Sequence, residues 1–73
     1  PSTTIAFALP RFTQVTLKIF NQLGEEVATL VNQKMPAGQH EAFWDATGRP
    51  SGVYFYRLQA EGFVQTKKLI LIK

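Results

Sequence analysis

The chain has 73 residues, enough for one small domain, and 45% of them are hydrophobic, which indicates a globular fold. It contains no cysteine, which excludes disulfide bonds and thiolate zinc sites, and no apolar run reaches the roughly 20 residues of a membrane-spanning helix. The net charge of +3 arises within residues 57–73, which is too narrow a basic surface to predict a nucleic-acid partner.

The first two strands are predicted from alternating apolar and polar residues, a pattern with the two-residue period of a β-strand. Residues 4–9 form the first, and Pro10 ends it because proline cannot donate to a strand ladder. Residues 14–20 form the second. The first strand carries Ile5, Phe7 and Leu9 on one face. In the second, Val15, Leu17 and Ile19 are expected to point inward.

A turn and an irregular third strand follow. Residues 21–24 predict a tight turn, because asparagine suits its first position and glycine its left-handed exit. Residues 27–31 predict a short strand, although Val27 and Leu30 can share a face only if that strand contains a bulge. A single helical turn also fits this spacing, but the neighbouring strands favour the strand.

The second half of the chain predicts three more strands. A proline turn at residues 35–38 precedes a strand at residues 39–45, with His40, Ala42 and Trp44 on one face. A polar loop at residues 45–52 leads to a strand at residues 53–60. Its two faces are Tyr54, Tyr56 and Leu58 on one side and Val53, Phe55 and Arg57 on the other. Glu61-Gly62 fits a hairpin turn before a last strand at residues 63–73.

These elements predict the fold class. Short strands separated by turn signals, without sustained helical periodicity, are typical of an all-β protein. We expect residues 1–73 to form a single small antiparallel β-sandwich.

The last strand is unusual because Leu69 to Ile72 are apolar on both faces. Either both faces are covered within the fold, or one face and the strand edge bind a partner by strand addition. A terminal strand of this kind can also exchange between two copies and give a domain-swapped dimer. Lys67 and Lys68 fit a simpler role as charged guards of an edge strand.

No group of residues indicates catalysis, a metal or a cofactor. His40 is the only histidine and has no second ligand or nucleophile beside it, so we expect a core or half-buried side chain. The carboxylates that could serve as catalytic acids of a glycosidase lie at strand ends and turns, where we expect solvated charges rather than an active site. These are Glu25, Glu26, Glu41 and Asp45. We therefore expect a non-enzymatic protein that is recognised by other proteins.

The aromatic residues leave a second interpretation open. Trp44, Tyr54 and Tyr56 could stack on sugars, as in carbohydrate-binding modules. Filling the core of the sandwich is the favoured interpretation, because aromatic rings supply most of the buried area of such cores.

Eight segments distributed over the whole chain carry a family resemblance. They are Pro1–Ile5, Phe7–Pro10, Val15–Leu17, Asn21–Gly24, Ala37–His40, Trp44–Asp45, Ser51–Leu58 and Thr66–Leu69. Together, and in this order, they resemble the type A C-terminal sorting domain of the type IX (Por) secretion system of Bacteroidetes. More distantly, the chain is similar to the immunoglobulin-like domain of the flagellar hook-capping protein.

The resemblance implies an immunoglobulin-like β-sandwich of six to seven strands, which acts as an address label for a larger cargo domain covalently linked upstream. Such cargo crosses the inner membrane by the Sec route, with a signal that these 73 residues do not contain. It then passes through the periplasm and is read by the outer-membrane type IX translocon. A sortase-like peptidase removes the label, and the cargo is secreted or held at the cell surface.

The resemblance also implies which residues are recognised, within the segments 50–57 and 67–73. The predicted recognition residues are Pro50, Gly52, Val53, Tyr54, Tyr56, Arg57, Lys67, Lys68, Leu69 and Lys73. The alternative functions are a structural immunoglobulin-like module of the hook-capping type and a carbohydrate-binding accessory domain.

Overall fold

The structure, a computed structural model, describes residues 2–72. These residues form six strands and no helix, so they contain no helix that could span a membrane. The strands are β1 (Ser2–Leu9), β2 (Thr13–Phe20), β3 (Glu26–Met35), β4 (Gly38–Asp45), β5 (Gly52–Ala60) and β6 (Phe63–Leu71). The all-β prediction is confirmed.

The strands form two antiparallel sheets that pack face to face. The larger sheet has the order β3-β2-β5-β6, and the smaller one pairs β1 with β4. Because a strand presents alternate residues to its two faces, each sheet supplies one row of side chains per strand to the space between them. This arrangement confirms the predicted sandwich, with six strands.

The core lies between the sheets and contains the row of β2 that the alternation predicted to point inward. Phe7, on the face of Ile5 and Leu9, is half-buried and packs against this core. Val15, Leu17 and Ile19 on the central strand β2 are completely buried. The smaller sheet contributes from its inner face, and β5 and β6 complete the core. The remaining buried apolar residues are Ile5, Leu9, Ala42, Trp44, Ala46, Tyr54, Leu58, Ala60 and Leu71.

The third strand contains two bulges. The register between β2 and β3 shifts between Leu17 and Lys18, and again between Ile19 and Phe20. The residues passed over are Leu30 and Val27, the two whose spacing required a bulge. The strand interpretation is confirmed over the helical turn, and the strand extends beyond its predicted end to Met35.

The last strand is covered on one face only. Leu71 is buried against the core, whereas Ile70 is 62% and Ile72 78% exposed. Within residues 2–72, β6 pairs with β5 alone, which leaves its other edge free. Of the two predicted possibilities, the structure shows the one with an open face and edge, while strand exchange between copies stays a prediction.

Candidate recognition surface

The loop before β5 is ordered by its own hydrogen bonds. Asp45 Oδ1 accepts hydrogen bonds from the Thr47 hydroxyl at 2.6 Å and from the Thr47 backbone N–H at 3.0 Å. These bonds stabilise the ionised form, the hydroxyl bond most, and they hold the pKa of Asp45 below its ordinary value. The Arg49 N–H donates to the Ala46 carbonyl oxygen at 2.9 Å and closes the following turn.

A buried tyrosine ties this loop to the core. The Tyr54 hydroxyl donates a 2.7 Å hydrogen bond to the carbonyl oxygen of Pro50, four residues upstream. The Tyr54 ring is 4% exposed and packs edge to face on Trp44, with ring centroids 5.2 Å apart. Gly52 lies between Pro50 and Tyr54 in the sequence and begins β5. Its φ is +149°, a backbone angle that residues with a Cβ rarely adopt.

The loop is also held at its other side by the irregular strand. Arg49 Nη2 donates a 3.1 Å hydrogen bond to the backbone oxygen of Val27, one of the bulge residues of β3. A bulge interrupts the ladder, so its carbonyl group is free to accept a bond from outside the sheet. The predicted bulge therefore helps to position the loop that precedes β5.

The β2–β3 turn lies next to this loop. Asn21 Oδ1 accepts the backbone N–H groups of Leu23 and Glu25 at 2.9 and 3.0 Å, which fixes the turn. A shallow, open groove is lined on one side by residues 21–23 of the turn and on the other by residues 50–54. Leu23, at the tip of the turn, is 84% exposed.

The outer face of β5 and β6 combines apolar and cationic side chains. Across the two strands, Val53 pairs with Ile70 and Phe55 pairs with Lys68. The guanidinium carbon of Arg57 lies 4.7 Å from the ring centroid of Phe20 on β2, in a cation–π contact. We call this surface, formed by Phe20, Val53, Phe55, Arg57, Lys68 and Ile70, the outer ridge.

The predicted recognition residues are divided between the two faces of the sheet. Val53, Arg57 and Lys68 point outward into the outer ridge. Pro50 lies in the loop before β5, and Gly52 is the first residue of β5. Those on the opposite, core-side face are Tyr54, Tyr56, Lys67 and Leu69. Lys73 lies outside the described residues. Recognition by a partner stays a prediction, but Tyr54 is buried and supports the loop from within, so we remove it from the contact residues.

The charges near the ridge are unequally balanced. Lys18 forms a 3.1 Å salt bridge with Glu26, and this interaction, with a hydrogen bond from Thr29, lowers the pKa of Glu26. Lys67 and Lys68 are exposed and have no ion pair within residues 2–72. Two uncompensated positive charges therefore lie along β6, with Lys68 in the outer ridge and Lys67 on the opposite face of the sheet.

The residues weighed for other functions have structural roles. His40 is half-buried; its Nε2 lies 2.7 Å from the Pro36 carbonyl oxygen and its ring 5.6 Å from that of Phe7. This confirms the predicted half-buried histidine. Trp44 is 4% exposed, as is Tyr54, so neither ring presents a face on which a sugar could stack.

A family model described as a secretion system C-terminal sorting domain matches residues 2–73. The chain belongs to this family. It is therefore a C-terminal sorting signal for type IX secretion, as the resemblance implied, and a linked upstream cargo and contact with the secretion machinery follow from that role. Its destination is secretion or the cell surface. No curated protein and no solved structure matches the chain significantly.

The structure adds residues of the sorting domain that were not among the predicted recognition residues. Phe20 and Ile70 contribute to the outer ridge, and Phe55 lies at its centre between Val53 and Arg57. The alternation along β5 had already placed Phe55 on the face of Val53 and Arg57. Phe20 and Ile70 belong to other strands, and only the register across the sheet brings them to the same surface.

Proposed function

We propose that the type IX translocon recognises the outer ridge, residues 50–52 at the entry to β5 and the free edge of β6. The observation that carries this proposal is the pair of uncompensated lysines, Lys67 and Lys68, on an open edge beside exposed apolar side chains. Charges at the rim of a contact guide encounter and partner choice, and apolar side chains supply contact area.

We further propose how the domain acts on its cargo. The domain is folded when the cargo reaches the outer membrane from the periplasm. The loop geometry supports this, because the Arg49 hydrogen bond to the Val27 carbonyl oxygen, 22 residues away, and the burial of the Tyr54 ring hold the loop only when the sheets are formed. The domain performs no chemistry itself. A sortase-like peptidase of the secretion machinery separates the domain from the cargo after passage.

The test is a reporter protein that carries a Sec signal at its start and these 73 residues at its end. In a host with a working type IX system, we expect the reporter at the cell surface or in the medium. The same reporter without the domain, and the fusion in a host lacking the translocon, are expected to remain in the periplasm. A fusion that stays in the periplasm of the competent host contradicts the proposed recognition.

A further inference from the structure

The free edge of β6 is the open end of the larger sheet. The strand runs over Phe63–Leu71 without a bulge or a proline, and one row of its backbone N–H and C=O groups faces away from β5. The opposite edge of the same sheet, β3, is interrupted by bulges at Val27 and Leu30. Bulges disrupt the pairing of an edge strand, so β6 is the better template for an added strand.

The side chains along this edge have a specific order. Lys67 and Lys68 occupy consecutive positions and therefore lie on opposite faces of the sheet, and Leu69 and Ile70 follow them on the same two faces. Lys67 stays exposed although it is on the core side. On each face, a positive charge is thus followed two residues later by an apolar side chain.

We infer that β6 binds an extended acidic segment of a partner protein as a fifth, antiparallel strand of the larger sheet. Every strand pair in this sheet is antiparallel, and antiparallel pairing is slightly more stable than parallel pairing. Residues directly opposite each other share a face. In its own direction, the segment therefore presents two apolar residues, opposite Ile70 and Leu69, followed by two acidic residues, opposite Lys68 and Lys67.

Charge complementarity selects this occupant over a second copy of the domain. If two β6 strands paired, Lys67 and Lys68 of both copies would lie along the same strand pair. Residues 63–71 contain no carboxylate that could balance these four charges. Like charges across strands are destabilising, whereas carboxylates there form ion pairs. The inference rests on the proposed function, because it gives the chemistry of the segment with which the machinery contacts this surface.

The test is a titration of the 73-residue chain with short synthetic peptides, followed by amide hydrogen exchange in β6. The first peptide has two valines followed by two glutamates at its centre, and the second has the same residues in reverse order. We expect the first to slow exchange in Phe63–Leu71 and to bind more tightly than the second. A third peptide, the first with alternate backbone amides methylated, is expected not to bind, since it cannot form the ladder.

A charge-reversed variant tests the lysines. Lys67→Glu with Lys68→Glu is expected to weaken the affinity for the first peptide about tenfold, because two exposed ion pairs are lost and two repulsions are gained. Lys34→Glu, an exposed lysine on β3, is the control and is expected to leave binding unchanged. Equal binding of the two peptide orders, binding of the methylated peptide, or full binding by the double variant overturns the inference.

The reporter experiment separates this inference from the proposed function. If the reporter is exported but the peptides do not bind, only the inference is wrong. If the peptides bind but the reporter remains in the periplasm, the proposed function is wrong.

Discussion

The indole ring of Trp44 and the phenol ring of Tyr54 meet edge to face, with centroids 5.2 Å apart and planes inclined at 69°. Trp44 belongs to β4 in the smaller sheet and Tyr54 to β5 in the larger one, so the contact joins the two sheets. The Tyr54 hydroxyl also donates a hydrogen bond to the Pro50 carbonyl oxygen in the loop before β5. The core and the loop of the proposed recognition surface are therefore connected through one side chain.

Removing the indole should strongly destabilise the domain. Trp44→Ala is expected to lower the free energy of unfolding by about 3–5 kcal/mol, because the ring is buried and leaves a cavity. Phe43→Ala is the matched control on the same strand, where the ring is 63% exposed, and should change stability by no more than about 0.5 kcal/mol. Thermal melts of both variants decide, and an unshifted Trp44→Ala melt contradicts the burial.

The hydroxyl of Tyr54 should contribute separately from its ring. Tyr54→Phe is expected to cost about 1 kcal/mol, since it leaves the Pro50 carbonyl oxygen without this donor. Tyr56→Phe is the control, because the Tyr56 hydroxyl makes no hydrogen bond within residues 2–72. Urea unfolding measures both. Equal stability of the two variants means that the bond to Pro50 adds nothing in solution.

The backbone at Gly52 should reject any L-residue. The space around it is open, with no heavy atom within 4 Å of an added Cβ, so crowding is not the obstacle. The obstacle is the φ of +149°. Both Gly52→Ala and Gly52→Val are therefore expected to lower the free energy of unfolding by about 1–3 kcal/mol and to reduce export. A synthetic chain with D-alanine at this position is the control, since a D-residue favours positive φ. If D-alanine destabilises as much as L-alanine, the backbone angle is not the cause.

Reversing the two lysine charges should separate recognition from folding. Lys67→Glu with Lys68→Glu is expected to leave the melting temperature close to that of the parent, because exposed charges contribute little to stability. Export of the reporter fusion should fall sharply. Arg11→Glu with Lys34→Glu makes the same change in net charge at exposed positions away from Lys67 and Lys68 and should be exported normally. Normal export of a folded Lys67/Lys68 double variant shows that these lysines only guard the edge.

The loop should lose support in acid. Hydrogen bonds from Thr47 lower the pKa of Asp45 in the folded chain below its ordinary value of 3.8. As the pH falls, the unfolded chain therefore binds a proton at Asp45 before the folded chain does. The contribution of the Asp45 carboxylate to folding stability is present above its ordinary pKa and is lost as the pH falls through its lower pKa in the folded chain. Between about pH 7 and about pH 3, the melting temperature should fall less in Asp45→Asn than in the parent chain. Glu41→Gln, exposed on the same strand, is the control, and a parallel fall in Asp45→Asn removes the carboxylate from the explanation.

Which residues share a strand face, and where the chain turns, could be predicted from the amino-acid sequence alone. The alternation through Val15, Leu17 and Ile19 predicted the fully buried row of β2, since side-chain direction in a strand has a fixed period of two. The spacing of Val27 and Leu30 predicted a bulge for the same reason. The order of turns and anchors was sufficient to identify the family.

Which strand faces and edges remain open depends on how the two sheets pair and pack, and this could not be predicted from the local sequence. Alternation placed Tyr54 and Val53 on opposite faces of β5, but the smaller sheet, by packing against one face, buries Tyr54 and leaves Val53 in the outer ridge. The neighbours of β6 depend on pairing between segments far apart in the chain, and no local pattern records that pairing. Lys67 and Lys68 lie on an open edge because β5 occupies one side of β6 and none of residues 2–72 pairs with the other.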